Sequence, residues 1–200
     1  MRDQLFTKKL FKATRRKSMK KVVASVLGLS FSIVFMGCAA KLKVDVRKGE
    51  KIRTVMAVLQ PTEGSNAEGR VIFIEEEGNN VRVVVELSGL SPGDHGFHIH
   101  QFGDCSMTDG TSAGGHFNPG GKSHGPRNSY NRHVGDLGNL TADINGIARA
   151  DFIDHKLAFE GKRSIIGRAV IVHALPDDFT SQPTGAAGAR VACGVIGITE

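Results

Sequence analysis

Six of the eight histidines lie in one stretch, His95–Asp136, which reads HGFHIHQFGDCSMTDGTSAGGHFNPGGKSHGPRNSYNRHVGD. No other feature constrains the fold as strongly. A packed hydrophobic core has no use for imidazoles at this density, whereas neutral imidazole is the commonest protein ligand for zinc and copper. The fold must therefore bring these rings together around metal ions.

The stretch opens as a strand, His95–Gln101. Side chains two apart on a strand share a face, about 6.5–7 Å apart along it, so His98 and His100 project together and can grip one ion. Taken alone, an H-x-H pair is weak evidence. A loop of about 35 residues follows, with little periodicity. Loops of that length inside a compact domain are usually functional or disordered. This one carries Cys105, His116, His124, His133 and Asp136. Spacings of eight, nine and three between the last four suit a chain folded around one ion. Three imidazoles and a carboxylate would then make the closed tetrahedron that structural zinc takes. Gly114-Gly115 and Gly120-Gly121 allow the bends.

The flanking sequence reads as short strands, four to ten residues long, bounded by Gly, Asn or Pro. Before the histidine stretch these are Arg53–Gln60, Arg70–Glu75 and Val81–Leu87. After it come Asp136–Ala142 and Ile147–Ile153, a hairpin across the Asp143–Gly146 turn. Ile165–Ala174 carries His173 near its end, and a second long loop, Leu175–Ala189, leads to Arg190–Ile198. With 25 glycines, no tryptophan and no helical period after the N-terminal segment, the eight strands predict a sandwich or barrel.

The formal charge of +6 belongs to the N-terminus. Residues 1–37 hold nine Lys/Arg and one acidic residue; taking them from 26 basic and 20 acidic residues leaves 17 and 19, a net charge of −2. No nucleic-acid partner is implied. From Met19 the chain shows a basic n-region, an apolar run from Val22 to Met36 and then small residues, the outline of a signal peptide. Residues 1–18 read as an upstream extension, with Met19 as a candidate true start. Gly37-Cys38-Ala39 resembles a bacterial lipoprotein box, in which the cysteine is lipidated and becomes residue one. Phe35 and Met36 depart from the Leu and small residue that motif prefers, and cleavage near Ala40 is the alternative. The expected organisation is a leader over 1–37, a linker over 38–50 and one domain over 51–200. Cys38, Cys105 and Cys193 make an odd count, which in an exported protein suggests one pair and one cysteine with another fate.

In order, GFHIHQFGD, TSAGGHFNP, HVGDLGNL, IGRAVIVHALPDD and TGAAGARVACGVIGI closely resemble motifs of the copper-zinc superoxide dismutase family, over about residues 52–200. The resemblance implies an all-β, eight-stranded Greek-key sandwich or flattened barrel with two long functional loops. It implies one copper and one zinc per subunit, with His98, His100, His116 and His173 on copper. His116, His124, His133 and Asp136 would hold zinc, His116 bridging the two. The implied reaction is dismutation of superoxide to O₂ and hydrogen peroxide by copper cycling between Cu(II) and Cu(I). Arg190 would receive the superoxide anion, and His116 would carry a proton to the product. Asp177 would link a copper histidine to a zinc histidine, and Cys105 would pair with Cys193.

Gly110 stands where eukaryotic members place the first disulfide cysteine. Cys105, five residues after His100, instead resembles the bacterial envelope branch. The second loop also lacks the charged residues of eukaryotic members. The whole predicts an exported enzyme of the periplasm or cell envelope, lipid-anchored, that protects the envelope from superoxide as a monomer or homodimer. A non-catalytic copper or zinc buffer on the same fold is the competing class; retention of all four copper positions and Arg190 argues against it. His95 matches a family histidine that bonds backbone, and His155 matches no motif. Lys122, Arg127 and Arg132, in the first loop, read as solvated surface.

Overall fold

A computed structural model describes residues 51–199. The leader, Cys38 and the linker to residue 50 lie outside the described residues. Eight strands form: β1 (Thr54–Pro61), β2 (Glu68–Glu76), β3 (Asn80–Ser88), β4 (Gly93–His100), β5 (Asp136–Ala142), β6 (Ala148–Asp154), β7 (Ala169–His173) and β8 (Arg190–Ile198). They close into an antiparallel barrel in the order β1-β2-β3-β6-β5-β4-β7-β8, with β8 returning to β1. This is the Greek-key arrangement expected from the sequence. The described residues contain no α-helix, only three short 3₁₀ turns.

Alternation builds the core. Val55, Phe73 and Val83 are register partners across β1, β2 and β3, and Ala57, Val71 and Val85 form the next inward row. All six are buried, along with Phe97, Val170, Val172, Ala192 and Ile196 from the other wall. Full burial of a Val, Ile or Phe side chain contributes roughly 1.5–3 kcal/mol, so the barrel interior is the main source of stability.

Two elements differ from their sequence reading. β7 begins at Ala169 instead of Ile165, because Arg168 N–H bonds back to Ile165 O in a turn through Gly167. β5 and β6 are joined by the expected Asp143–Gly146 turn but share only the Ala142–Ala148 rung. β6 pairs along its length with β3 instead.

Candidate metal centre

The pleat of β4 sends Phe97 and Ile99 into the barrel and His98 and His100 to the outer face. An outer face would ordinarily meet water, yet both histidines are 0% exposed. The long loops cover them. Phe117 N–H bonds to Ile99 O at 2.8 Å, Gly135 N–H to Phe117 O at 2.9 Å and Ile99 N–H to Gly135 O at 2.9 Å. The first loop is thereby laid against β4, and His116 forms a bridge with His100. Gly135 permits the approach, since a Cβ there would overlap the Ile99 carbonyl. β7, paired with β4, brings His173 to the same face.

Two sets of four donors result, His98, His100, His116 and His173, and His116, His124, His133 and Asp136. Within each set the donor atoms lie within 4.8 Å of one another, and every residue is buried. His116 belongs to both. These are the eight positions singled out in the sequence, counting His116 twice.

The other ring nitrogens are already engaged, which defines the direction each imidazole faces. His100 Nδ1 lies 2.8 Å from Gly114 O, and His173 Nδ1 lies 3.2 Å from Gly188 O. Both therefore turn Nε2 inward, 3.4 Å apart. His98 Nε2 lies 2.9 Å from Asp177 Oδ2, leaving Nδ1 inward. On the second set, Asp136 Oδ1 sits 2.8 Å from His116 Nδ1, 3.0 Å from His124 Nδ1 and 3.0 Å from His133 Nδ1. Its Oδ2 accepts from the backbone N–H of His133 at 2.9 Å and of Gly125 at 3.2 Å.

The residues fit a pair of cations. His98 Nδ1 and His116 Nε2 are buried without a hydrogen-bond partner. Leaving such an atom unpaired costs roughly 1–3 kcal/mol, so two in one cluster mark where bound ions complete the structure. Four imidazoles suit copper, and three imidazoles with a carboxylate suit zinc.

Electrostatics separate the two sets. Burial pushes His116 down to about 4 against the pull of Asp136. Burial, reinforced by His98, pushes His173 down to about 3. Burial and then His116 and His173 hold His100 well below its ordinary value. His124 goes the other way: burial opposes its charge, but hydrogen bonds to Asp136 and Asp177 outweigh that and raise it to about 9. Asp136 is held far below the carboxylate range, because hydrogen bonds from His116, His124 and His133 overcome the burial penalty.

Asp177 spans the sets. Its Oδ2 meets His98 Nε2 at 2.9 Å and its Oδ1 meets His124 Nε2 at 2.8 Å. Asn139 on β5 clamps its backbone on both sides, at 2.9 and 2.7 Å. Gly185, at φ +69°, passes so close that any Cβ would overlap the Asp177 carboxylate.

Arg190 opens β8 and is the register partner of His173. Its Nη1 donates to Gly110 O, and its Nη2 donates to Gly114 O at 2.6 Å. Gly114 O also bonds His100, so one carbonyl separates the half-buried guanidinium from a ring of the first set. Cys105 and Cys193 form a disulfide with Cα atoms 5.9 Å apart. It ties the Cys105–Ala113 part of the first loop to β8, packed with Ala113, Ala169 and Ile171.

His95 is buried between His173 O, 2.7 Å from Nδ1, and Ser91 O, 2.8 Å from Nε2, a backbone tie as expected. His155 is exposed. Arg132 corrects its sequence reading as solvated surface. It is 3% exposed and ion-paired with Asp154, itself 2% exposed. Its Nε and Nη1 donate to Arg127 O, His133 O and Val134 O at 2.7, 2.9 and 3.0 Å. Gln182 was not anticipated either. Its Oε1 accepts from His124 N–H at 2.8 Å and its Nε2 donates to His124 O at 3.0 Å, joining the second loop to the first. No local pattern signals either residue, because the partners are 22 and 58 positions away.

The family model for copper/zinc superoxide dismutase matches residues 67–196. Cu-Zn superoxide dismutase 3 of Arabidopsis thaliana is 48% identical over 141 residues, spanning 67% of this chain and 85% of the plant protein. The crystal structure of the clock protein EA4 superposes with a TM-score of 0.69 at 43% identity, covering 76% of this chain and 98% of that one.

Proposed function

Since the chain belongs to the copper/zinc superoxide dismutase family, and is thus an enzyme with copper and zinc as cofactors, we propose a specific division of labour among its residues. The observation that carries it is the pair of buried four-donor sets sharing His116. His98, His100, His116 and His173 would hold copper; His116, His124, His133 and Asp136 would hold zinc. Copper, when bound, supplies the alternating one-electron oxidation and reduction of superoxide, and zinc, without redox chemistry, fixes geometry.

The chain's own groups do the rest. Arg190 keeps its charge at any working pH. Its two amino groups are held by Gly110 O and Gly114 O, which aims a fixed positive centre at a small anion arriving beside His100. His116 Nε2, buried and unpartnered, is the atom placed to carry a proton towards the reduced product. Asp177 orients His98 and His124 together, so a displacement of one ring is felt at the other. The disulfide and Gln182 hold the two loops that carry these groups.

The same proposal places the enzyme in the bacterial cell envelope. The supporting features are the signal-peptide outline from Met19, the Gly37-Cys38 box and a disulfide that uses Cys105, with Gly110 at the eukaryotic cysteine position. In this reading residues 1–37 are removed, Cys38 carries the lipid, residues 38–50 are a tether and residues 51–200 are the catalytic domain. The function served is removal of superoxide from the envelope.

Metal analysis of the purified protein, with superoxide consumption measured before and after copper removal, tests the catalytic part. One copper and one zinc per chain are expected, with activity lost on copper removal and regained on reloading. A protein that binds both metals but consumes no superoxide would refute it and point to a metal buffer. Labelling with a radioactive fatty acid, compared with Cys38→Ser, tests the anchor; label retained by the variant would refute it.

A further inference from the structure

A pocket of about 200 Å³ opens between the loop after β4 and the β6–β7 connection. Lys122, Arg132, Lys156 and Arg163 all line it, and no carboxylate does. Beyond the leader, acidic residues outnumber basic ones by 19 to 17, so four cations on one wall run against the average of the chain. Arg132 is answered by Asp154. Lys122, Lys156 and Arg163 take part in none of the ion pairs among the described residues. Lys156 Nζ donates to backbone oxygens, those of Tyr130 at 2.5 Å and Arg132 at 3.4 Å, and lies 5.5 Å from the centre of the Tyr130 ring. Burial and then the charge of Arg132 push Lys156 below its ordinary value, outweighing the pull of Asp154.

The geometry selects the class of anion. The three unanswered cations come from two segments, Lys122 from the first loop and Lys156 and Arg163 from the β6–β7 connection, and Tyr130, 89% exposed, lines the same pocket. A small monovalent anion would leave two of them unanswered. An oxyanion with two or more charges spread over tetrahedral oxygens answers more than one of them at once, and Arg and Lys are the usual partners of such groups. Asn118 holds the turn that presents Lys122, through bonds of 2.8 and 3.0 Å to the Lys122 backbone.

We propose that this pocket binds a phosphate group, either free, as phosphate or pyrophosphate, or as the terminal phosphate of a lipid. The occupant would tie the first loop to the β6–β7 connection beside His133, and so would also slow zinc release; that second effect rests on the zinc assignment above, while binding itself does not.

The test is calorimetric titration of the metal-loaded protein with pyrophosphate at low salt. Saturable binding is expected, weakening as salt is added. It should fall by about tenfold or more in the Lys122→Ala/Arg163→Ala double variant, where two of the three charges are gone, and be retained in Arg190→Ala. Absence of saturable binding would overturn the proposal. So would loss in Arg190→Ala with retention in the double variant, which would place the ion at the metal centre. Flotation of the unlipidated Cys38→Ser protein on vesicles with and without phosphatidic acid separates the sources. Flotation that needs both the phosphatidic acid and Lys122 with Arg163 supports the lipid source; pyrophosphate binding without flotation supports the soluble one.

Discussion

Arg132 offers the sharpest test of how this centre is held. The side chain is buried and makes one ion pair and three bonds to carbonyls, two of them on His133 and Val134. Arg132→Ala would leave the Asp154 carboxylate buried with only the Lys156 and Leu157 N–H groups on its other oxygen. Removing one partner of a buried pair costs roughly 3–5 kcal/mol. For a domain of this size that corresponds to a fall in Tm of roughly 6–20 °C. Equilibrium urea unfolding of the metal-free, disulfide-intact protein measures the free energy, and its slope should not change. Replacing both partners, as in Arg132→Met/Asp154→Leu, often restores stability at buried pairs. Here it should not, because the carbonyls of Arg127, His133 and Val134 would still lack a donor, at roughly 1–3 kcal/mol each. Since those carbonyls border His133, a proposed zinc ligand, zinc should also leave the Arg132→Ala protein about 10–100-fold faster, the usual scale for groups that support metal ligands. A loss below about 1 kcal/mol, against the range for a broken buried pair, would refute the reasoning. So would a double variant as stable as the parent protein.

Other outcomes are expected on the same footing. Gln182→Ala, which frees the His124 backbone, should speed zinc dissociation about tenfold or more while leaving copper retention unchanged; equal effects on both metals would argue against a local clamp. Replacing Cys105 and Cys193 by Ala opens a loop 88 residues long and should remove about 4–5 kcal/mol of stability by the loop-entropy relation, read by denaturant unfolding. Arg190→Ala should lower kcat/KM about tenfold or more and flatten its salt dependence, with both metals still bound; pulse radiolysis and metal analysis would report both. In the metal-free protein the pH dependence has two arms. His124 is raised to about 9, so its stabilisation is complete below the unfolded value near 6.5 and disappears as pH rises through about 9. His116 and His173 are lowered to about 4 and about 3, so stability falls as pH drops below about 6.5 towards those values. Unfolding free energy should therefore peak near neutrality, and zinc uptake at pH 7 should release a proton from His124. A monotonic profile with no proton release would contradict both arms.

Much of this was written locally in the chain. The alternation of Val55, Ala57 and Leu59, or of Phe97 and Ile99 against His98 and His100, specifies a strand and its two faces, since side-chain direction depends only on neighbouring dihedrals. β5 and β8 begin and end where their apolar pattern does. The clustering of the donors proposed for zinc was also legible, because His116, His124, His133 and Asp136 lie on one loop whose own spacing lets it wrap an ion. Resemblance, not spacing, singled out His173, Asp177, Arg190 and the Cys105–Cys193 pair.

Other features depend on where the chain returns to itself. Nothing near His98 in sequence says that its outer face will be roofed, or that a carboxylate 79 residues away will hold its ring. Arg132 looks like any surface arginine until β6 places Asp154 beneath it. Gln182 is an ordinary loop residue until its amide meets His124. The physical reason is that side-chain direction and turn geometry are set within a few residues, whereas burial and charge pairing are set by the closure of the barrel. Closure follows the sum of many distant contacts and leaves no periodic mark on any one segment. The sequence alone thus determined which donors the protein carries and on which faces they lie. The tertiary structure alone decided which nitrogen of each ring is free, which charges are buried, and what holds them there.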